Sequence, residues 1–338
     1  MFHKLVILIL LMVFSLPLAA QDSGEQALSD DAPELARCVN LGNMLEAPTE
    51  GEWSLRVEEP WLQVIADAGF DTVRIPIRWS AHAAADAPYT IDDAFFARVD
   101  EVVGWALDAG LQAIINIHHY EEMATDPAGH HDRLLALWQQ IADHYQDYPQ
   151  ALVFEVMNEP NGALTARLWN EDQLEILDVI RASNPTRTVI IGGIQWNSLY
   201  QLPSLKLPAD RAHLMATFHN YLPFEFTHQG AEWVSGSDAY LGRTWPIRDD
   251  EVQLDRYFEY AAQWQDNLGM PLLMGEFGAY SKADLDSRVR FTRALVEHAE
   301  AAGIAWCYWE FAAGFGIYDR FTGQFNDLYR ALIPADAS

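Results

Sequence analysis

The chain has 338 residues, of which 49 are acidic and 21 are basic, so its formal net charge is -28. This negative charge argues against nucleic acid and against an anionic membrane surface as partners, whereas a neutral substrate would meet no repulsion. The chain is long enough for one large barrel or for two ordinary domains, and no Pro-, Gly- or Ser-rich linker divides it.

The first twenty residues have the pattern of a cleavable secretory signal. Lys4 precedes an apolar run that ends at Leu16, and two alanines follow at the predicted cleavage region. The run is too short to span a membrane, and no similar run recurs. We therefore predict a signal peptide at 1–20, a flexible lead-in at 21–33 and one folded domain at 34–335 of a secreted protein, extracellular or periplasmic, that is not membrane-bound after cleavage.

Apolar runs of strand length recur along the rest of the chain. We predict eight β-strands at residues 39–43, 72–79, 112–119, 153–158, 188–192, 214–221, 271–277 and 304–311. Amphipathic stretches of helical length lie between most of them, at 92–109, 132–145, 165–183, 250–267 and 283–302. Eight strands that alternate with helices predict an α/β fold with a single (β/α)8 (TIM) barrel domain.

Glycine supports this repeat, because it separates a predicted helix from the next strand at residues 69, 110, 269 and 303. Glycine there allows the left-handed cap that ends a helix. A doubly wound open sheet is the alternative, but it usually has fewer strands and a phosphate-binding glycine loop near the first one. The stretch from Asn40 to Asn43 does not have the pattern of such a loop.

Cys38 and Cys307 are the two cysteines of the chain, too few for a disulfide scaffold. They fall on the first and last predicted strands, which adjoin if the sheet closes. An exported protein could therefore join them. Two buried free thiols are the alternative, and the pattern slightly favours them.

Two glutamates lie where a barrel of this kind places its chemistry, which is at the carboxyl ends of the strands. Glu159 and Glu276 end the fourth and seventh predicted strands, and these strands face one another across the barrel mouth. Cleavage of a glycosidic bond needs one carboxyl group to protonate the leaving oxygen and another to attack or assist at the anomeric carbon. We therefore predict that the two side chains flank a bound sugar.

Two further glutamates are weaker candidates for this chemistry. Glu155 has the same strand parity as Glu159 but lies deeper in the barrel, where a buried partner such as an arginine is the expected role. Glu310 follows Trp309 and points the other way along its strand. We expect neither to act as the acid.

A metal centre is a further alternative, built from four histidines: His118, His119, His130 and His131. The first two are adjacent on a predicted strand, so their side chains point to opposite sides and at most one faces the site unless the strand breaks there. No metal-ligand spacing recurs among the four. We predict no metal and no cofactor.

Aromatic residues make up 12% of the chain, and many fall at predicted strand ends or in long loops. Sugar faces are apolar, so flat rings along a cleft bind polysaccharide without charge. We expect Trp79, Trp196 and Trp233 to line such a cleft, although each could equally belong to the core. The loop 222–248 is long for a structureless connection, which favours a binding role for Trp233 or Trp245.

Seven short motifs, taken in order, resemble glycoside hydrolase family 5, the cellulase-like members of a broader clan of barrels. They are NLGNMLEAP at 40–48, VRIP at 73–76, NIHH at 116–119, NEP at 158–160, FHNY at 218–221, FTHQG at 226–230 and GEFG at 275–278. The motif NEP alone is a weak signal, but the ordered set is highly specific. The resemblance covers nearly all of the chain that follows the predicted signal peptide.

The resemblance implies a retaining mechanism in which Glu159 is the acid/base and Glu276 is the nucleophile. Arg74 and Tyr221 would hydrogen-bond the nucleophile and keep it ionised. Asn158 would hold the hydroxyl beside the reacting carbon. These roles agree with the chemistry, because the nucleophile must stay charged while the acid stays protonated near neutral pH.

The resemblance also assigns three ring-bearing residues. His118 and His219 look like the sugar-binding and acid-orienting histidines of the family, and Trp309 looks like the platform beneath the sugar whose bond is cut. We therefore expect a retaining endo-β-1,4-glucanase, or cellulase, that acts on a neutral polysaccharide or oligosaccharide and is monomeric.

Two alternative functions remain open at this point. The family places β-mannanase, mixed-linkage β-glucanase and xyloglucanase specificities on the same catalytic frame, and loop residues decide between them. A non-catalytic polysaccharide-binding protein is the alternative from another class. It would need to lack a catalytic glutamate, and both are present.

Overall fold

Residues 35–334 are described by the structure, which is a computed structural model. The predicted signal peptide at 1–20 and the lead-in at 21–33 lie outside the described residues. Within the described part of the chain, none of the helices is long and apolar enough to cross a membrane.

Eight parallel strands close into a barrel in chain order, and the eighth pairs with the first. They are β1 (Arg37–Asn40), β2 (Thr72–Ile75), β3 (Gln112–Asn116), β4 (Leu152–Glu155), β5 (Val189–Gly192), β6 (Leu214–Asn220), β7 (Leu272–Phe277) and β8 (Ala305–Tyr308). Apart from Arg37 and Gln112, every residue of these strands is buried, because helices cover the outer face while side chains fill the inside. The predicted (β/α)8 barrel is confirmed.

Helices surround the barrel. They are α1 (Glu59–Asp67), α2 (Asp93–Asp108), α3 (Glu121–Thr125), α4 (Pro127–His144), α5 (Ala166–Ser183), α6 (Ile194–Asn197), α7 (Phe224–Thr227), α8 (Asp250–Leu268), α9 (Leu285–Ala301) and α10 (Tyr329–Leu332). The connection from β5 to β6 has no long helix, only α6 and a 3-10 turn at Leu199–Ser204. A two-stranded hairpin of β9 (Tyr318–Asp319) and β10 (Gln324–Phe325) follows β8.

The boundaries of several predicted elements differ from the observed ones. Strand β2 stops at Ile75, although the apolar pattern continues through Ile77 and Trp79, because these two side chains are buried outside the sheet. Helix α4 begins earlier than predicted, at Pro127, since the Asp126 side chain accepts the Gly129 N–H and caps the first turn. Helix α1 and the short helices were not predicted.

A disulfide bond joins Cys38 on β1 to Cys307 on β8. The two residues are register partners where the last strand meets the first, so closure of the barrel brings their side chains together. Both are buried. The preference for two free thiols was therefore wrong, because the pairing depends on the register of strands that lie at opposite ends of the chain.

Removing this disulfide is expected to destabilise the barrel. The bond joins residues separated by 269 positions, so it restricts a large part of the unfolded chain. We expect Cys38→Ala/Cys307→Ala to lower the free energy of unfolding by about 2 to 5 kcal/mol, measured by urea denaturation. The control is the parent protein in reductant, which lacks the disulfide but keeps both cysteine side chains. Equal stability of the oxidised parent, the reduced parent and the variant would contradict the expectation.

Candidate active site

The predicted site residues converge at the carboxyl ends of the strands. Arg74, His219 and Glu276 lie on β2, β6 and β7, respectively. The remaining five follow a strand end in the chain, and they are His118, Asn158, Glu159, Tyr221 and Trp309. Since all eight strands are parallel, these ends meet at one mouth of the barrel.

The Glu276 carboxyl is held by two donors, one on each oxygen. Arg74 Nη1 donates to Oε1 at 2.8 Å, and the Tyr221 hydroxyl donates to Oε2 at 3.0 Å. Burial raises the pKa of Glu276 above its usual value, while His219, Arg74 and the Tyr221 hydrogen bond act to lower it. The two donors thus stabilise the ionised form against burial, as the sequence predicts for a nucleophile.

Arg74 is fully buried and connects most of the polar side chains beneath the mouth. Its Nε and Nη2 donate to Glu155 Oε2 and Oε1 at 2.6 and 3.0 Å. It also donates to Asn40 Oδ1 and to Asn158 Oδ1, each at 2.8 Å. The predicted role of Glu155 as the buried partner of an arginine is confirmed, because a guanidinium at this depth requires a paired carboxylate.

Glu159 has a different environment from Glu276. It follows β4 in a left-handed backbone conformation, with φ of +50°, and its side chain is partly exposed to the mouth. Its Oε1 lies 2.8 Å from His219 Nδ1. Burial raises the pKa of Glu159 to about 7, with Arg74 lowering it and Glu155 raising it. The carboxyl therefore keeps a proton close to neutral pH, as a general acid must.

The spacing of the two glutamates decides what chemistry they can perform. Oxygen atoms of Glu159 and Glu276, together with a nitrogen of His219, all lie within 4.8 Å of one another. Carboxyl groups about 5 to 5.5 Å apart permit direct attack on the sugar, whereas inverting enzymes hold theirs about 6.5 to 9.5 Å apart to admit a water. The observed spacing matches the direct attack of a retaining mechanism.

The same three side chains offer the ligand atoms that a cation would need. A cation between them would lie beside the Arg74 guanidinium, which is already 2.8 Å from Glu276. Like charges so close in a buried site oppose one another. The cluster is therefore better suited to proton transfer than to metal binding.

The four histidines considered above do not form a metal centre among the described residues, although His118 and His119 lie beyond the end of β3 and their rings meet edge-on with centroids 4.7 Å apart. The expectation that these two point to opposite sides was therefore wrong, because the strand ends before them. His130 Nδ1 lies 3.0 Å from the Tyr120 hydroxyl, and His131 Nδ1 lies 2.8 Å from Asp172. His118 instead stacks against Trp309, with ring centroids 5.7 Å apart and planes at 10°. Burial lowers the pKa of His118 well below its usual value, so its ring is neutral. A buried neutral imidazole beside an aromatic platform suits contact with uncharged hydroxyl groups.

Glu310 is not available as an acid. Its carboxyl is buried and accepts the backbone N–H groups of Ala312, Ala313 and Phe315 at 2.9, 2.6 and 3.0 Å. The side chain thus holds the loop after β8 in place, next to Trp309. These contacts agree with the prediction that Glu310 is a weaker candidate for the acid than Glu159.

The predicted cleft tryptophans divide into two groups. Trp79 is 0% exposed, packs against Phe95 and Phe96, and donates its ring N–H to the Asn116 carbonyl oxygen. It belongs to the core, so the prediction was wrong, and Trp245 is buried as well. The chain turns away from the sheet after β2 and carries the Trp79 ring toward α2.

Trp196 and Trp233 are 59% and 60% exposed. Each lies in a connection that follows the carboxyl end of a strand, Trp196 within α6 after β5 and Trp233 after β6. Trp233 also packs edge-on against Tyr280, with centroids 4.8 Å apart. A role in binding sugar stays a prediction for both.

Three buried asparagines contact the site without having been predicted as site residues, although Asn197 falls among the polar residues at the predicted strand ends. Asn40 accepts from Arg74, Asn116 Nδ2 donates to Glu155 Oε2 at 3.0 Å, and Asn197 Nδ2 lies 3.4 Å from His219 Nε2. Asn40 and Asn116 are the last residues of β1 and β3. An amide within an apolar strand is the signal that could have found these two, whereas Asn197 follows β5 and its position at a strand end was the signal for it.

A (β/α)8 barrel with two close glutamates and a buried arginine at its mouth is the arrangement of a glycoside hydrolase. The family model described as Cellulase (glycosyl hydrolase family 5) matches residues 41–314. The chain belongs to that family.

Two curated relatives are named endoglucanases. Endoglucanase H of Acetivibrio thermocellus is 39% identical over 302 residues, which cover 87% of this chain but only 32% of that protein. Endoglucanase B of Ruminococcus albus is 30% identical, with 88% of this chain and 79% of that protein covered. The chain thus spans about a third of the first relative's length.

Solved structures are similar throughout the barrel. Thermotoga maritima Cel5A in complex with mannotriose is 49% identical, with a TM-score of 0.87, and the match covers 88% of this chain and 97% of that one. Its structure in complex with cellobiose gives the same values for identity and TM-score. Clostridial cellulose synthase subunit Z from Clostridioides difficile is 36% identical, with a TM-score of 0.86 and coverage of 89% and 100%.

Proposed function

We propose that the protein is an endo-β-1,4-glucanase that cleaves internal bonds of a neutral β-glucan with retention of configuration. The observation that carries the proposal is the spacing of Glu159 and Glu276, whose oxygens lie within 4.8 Å at the mouth of a family 5 barrel. The two relatives described above are named endoglucanases, which supports this substrate class.

The two carboxyl groups have opposite tasks in the proposed mechanism. Glu276 attacks the anomeric carbon while Glu159 gives its proton to the leaving oxygen, which yields a covalent glycosyl-enzyme. Glu159, now ionised, then takes a proton from water, and the resulting attack releases the sugar and regenerates Glu276. Their surroundings support this division, since Arg74 and Tyr221 donate to Glu276 whereas burial holds the pKa of Glu159 at about 7.

Aromatic and neutral side chains would hold the sugar. Trp309 and His118 form a stacked pair at the mouth, and Trp196 and Trp233 expose their rings on nearby loops. Such surfaces bind the apolar faces of uncharged sugars. Asn158, next to the acid in sequence, is the proposed partner of the hydroxyl beside the reacting carbon.

A β-mannanase or a glucanase of broader specificity is the second candidate. The observation that favours it is the 49% identity to Thermotoga maritima Cel5A, whose structures hold either mannotriose or cellobiose. Mixed-linkage glucan and xyloglucan belong to the same set of neutral substrates. Loops at the barrel mouth would decide between them.

We also propose that the protein acts outside the cytoplasm as a monomer, after removal of residues 1–20, with 21–33 as a lead-in and 34–335 as the catalytic domain. The Cys38–Cys307 disulfide supports export, because such bonds persist in oxidising compartments. The proposed substrate supports the same location, because a polysaccharide is too large to enter a cell.

The substrate test is the release of reducing ends from soluble β-1,4-glucan, mixed-linkage glucan, mannan and xyloglucan. We expect the fastest release from β-1,4-glucan, with the β-anomer as the first product in a proton NMR time course, because two displacements restore the configuration. The Glu276→Gln variant serves as the control for contaminating activity. An α-anomer formed first would contradict retention, and release from mannan alone would select the second candidate.

A further inference from the structure

The short segment α6, which follows β5, is an unusual turn and not a regular right-handed helix. Gln195, Trp196 and Asn197 have φ values of 56°, 57° and 51°, so three successive residues with side chains are left-handed. Such residues normally occur singly, because Cβ approaches the following carbonyl oxygen too closely. The turn persists only if its surroundings hold it in place, and strain of this kind is found at functional sites.

Hydrogen bonds connect the turn to two neighbouring segments, one that carries Glu159 and one that carries His219. The Trp196 backbone N–H donates to the carbonyl oxygen of Pro160, the residue after Glu159, at 3.3 Å. Ser198 forms a parallel β-bridge with His219 on β6. The strained turn therefore has a defined position with respect to both side chains.

Asn197 is the residue that this turn buries. Its side chain is 0% exposed, and its Nδ2 lies 3.4 Å from Nε2 of His219. With its amide nitrogen facing the ring, Asn197 donates and Nε2 accepts. The other ring nitrogen, Nδ1, lies 2.8 Å from Glu159 Oε1.

The His219 ring is surrounded by charged groups of three strands. Burial lowers the pKa of His219, with Glu276 raising it, Arg74 lowering it and Glu155 raising it. The ring is therefore neutral and carries one N–H, on Nδ1 or on Nε2. Which nitrogen carries it determines whether His219 donates to Glu159 or accepts from it.

We propose that Asn197 is a positioning residue that fixes His219 in the tautomer with its hydrogen on Nδ1. His219 then donates to Glu159 Oε1, and the acidic proton of Glu159 resides on Oε2, free for the leaving oxygen. With the hydrogen on Nε2, the bare Nδ1 would accept the Glu159 proton and withdraw it from the substrate. This inference rests on the proposed role of Glu159 as the acid/base.

Two substitutions of Asn197 test the proposal. Glycine keeps a left-handed backbone without steric cost, so Asn197→Gly removes the whole side chain, including the amide, without straining the turn. Asn197→Asp keeps the shape but offers an acceptor, which favours the hydrogen on Nε2. We expect both variants to lower kcat/KM on a β-glucan oligosaccharide by about 10- to 100-fold, because transfer of the acid's proton to the leaving oxygen is impaired.

The same variants should change kcat/KM little on an aryl β-cellobioside with an activated leaving group. That ratio reports formation of the glycosyl-enzyme, and an activated aryl group departs with little protonation. The matched control is Gln195→Gly, which relieves the same left-handed strain at an exposed residue that does not contact His219. It should behave as the parent on both substrates.

Nitrogen-15 NMR of histidine-labelled protein gives a direct readout of the tautomer. We expect a hydrogen on Nδ1 of His219 in the parent and on Nε2 in Asn197→Asp. A hydrogen on Nε2 in the parent overturns the proposal even if no Asn197 variant folds. Equal losses on both substrates, or no loss on either, would also overturn it.

Failure of the inference differs from failure of the proposed function. If Glu159→Ala keeps full activity on polysaccharide, the acid/base assignment itself is wrong. If Glu159→Ala loses that activity while Asn197→Gly matches the parent, the assignment stands and only the role of Asn197 is rejected.

Discussion

Replacing Glu276 with alanine is expected to abolish turnover of every glycoside, with a loss in kcat of about 10⁵-fold or more. The glycosyl-enzyme cannot form without the attacking carboxylate, and an activated leaving group does not compensate for its absence. Initial rates on soluble β-glucan and on an aryl β-cellobioside would measure the loss. Arg74 and Tyr221, which donate to this carboxyl in the parent, are retained in the variant sequence.

The matched control for Glu276→Ala is Glu225→Ala, which removes an exposed carboxylate on α7. It should leave both rates unchanged. Azide added to Glu276→Ala should enter from the side that the carboxylate vacated and give an α-glycosyl azide. Parent-like hydrolysis of polysaccharide by Glu276→Ala would show that the nucleophile lies elsewhere.

Replacing Glu159 with alanine is expected to have an effect that depends on the substrate. Hydrolysis of unactivated polysaccharide should fall by about 10²- to 10⁴-fold, because the leaving oxygen is no longer protonated. An activated aryl cellobioside should still form the glycosyl-enzyme and then stall, since the same residue must activate water. A burst of aryl alcohol followed by a slow steady state would reveal the stalled intermediate.

Azide separates this role from that of the nucleophile. It attacks the glycosyl-enzyme without a general base, so it should rescue Glu159→Ala and give a β-glycosyl azide with retained configuration. If the variant gives no azide product and hydrolyses polysaccharide as the parent does, the acid/base assignment fails. Glu155 and Glu310 would then be the carboxyl groups to test next.

The pH dependence offers a second check on Glu159. The acid must be protonated to act, and burial raises its pKa to about 7, so the parent's kcat/KM on polysaccharide should fall above about pH 7. On an activated aryl glycoside, which needs little protonation, this alkaline limb should be weak, and Glu159→Ala should lack it. A strong alkaline limb that survives in Glu159→Ala would assign it to another group.

Much of the fold and part of the site followed from local sequence patterns. Buried parallel strands are short apolar runs, and the helices between them are amphipathic, so their alternation predicts the barrel without reference to distant residues. Strand ends are local features too. Glu159 and Glu276 could therefore be placed at one mouth, and the depth of Glu155 predicted a buried partner such as an arginine, which the structure identifies as Arg74.

Contacts between distant segments were determined by the tertiary structure alone. A tryptophan after a strand has the same local pattern whether it lines a cleft or fills the core, so only the packing of α2 against Trp79 assigned it to the core. Cys38 and Cys307 are paired by the register at which the barrel closes. Asn197 reaches His219 through a left-handed turn that neighbouring segments hold in place. Apolar periodicity determined which residues are buried, whereas the partner of each depends on where distant strands and loops meet in space.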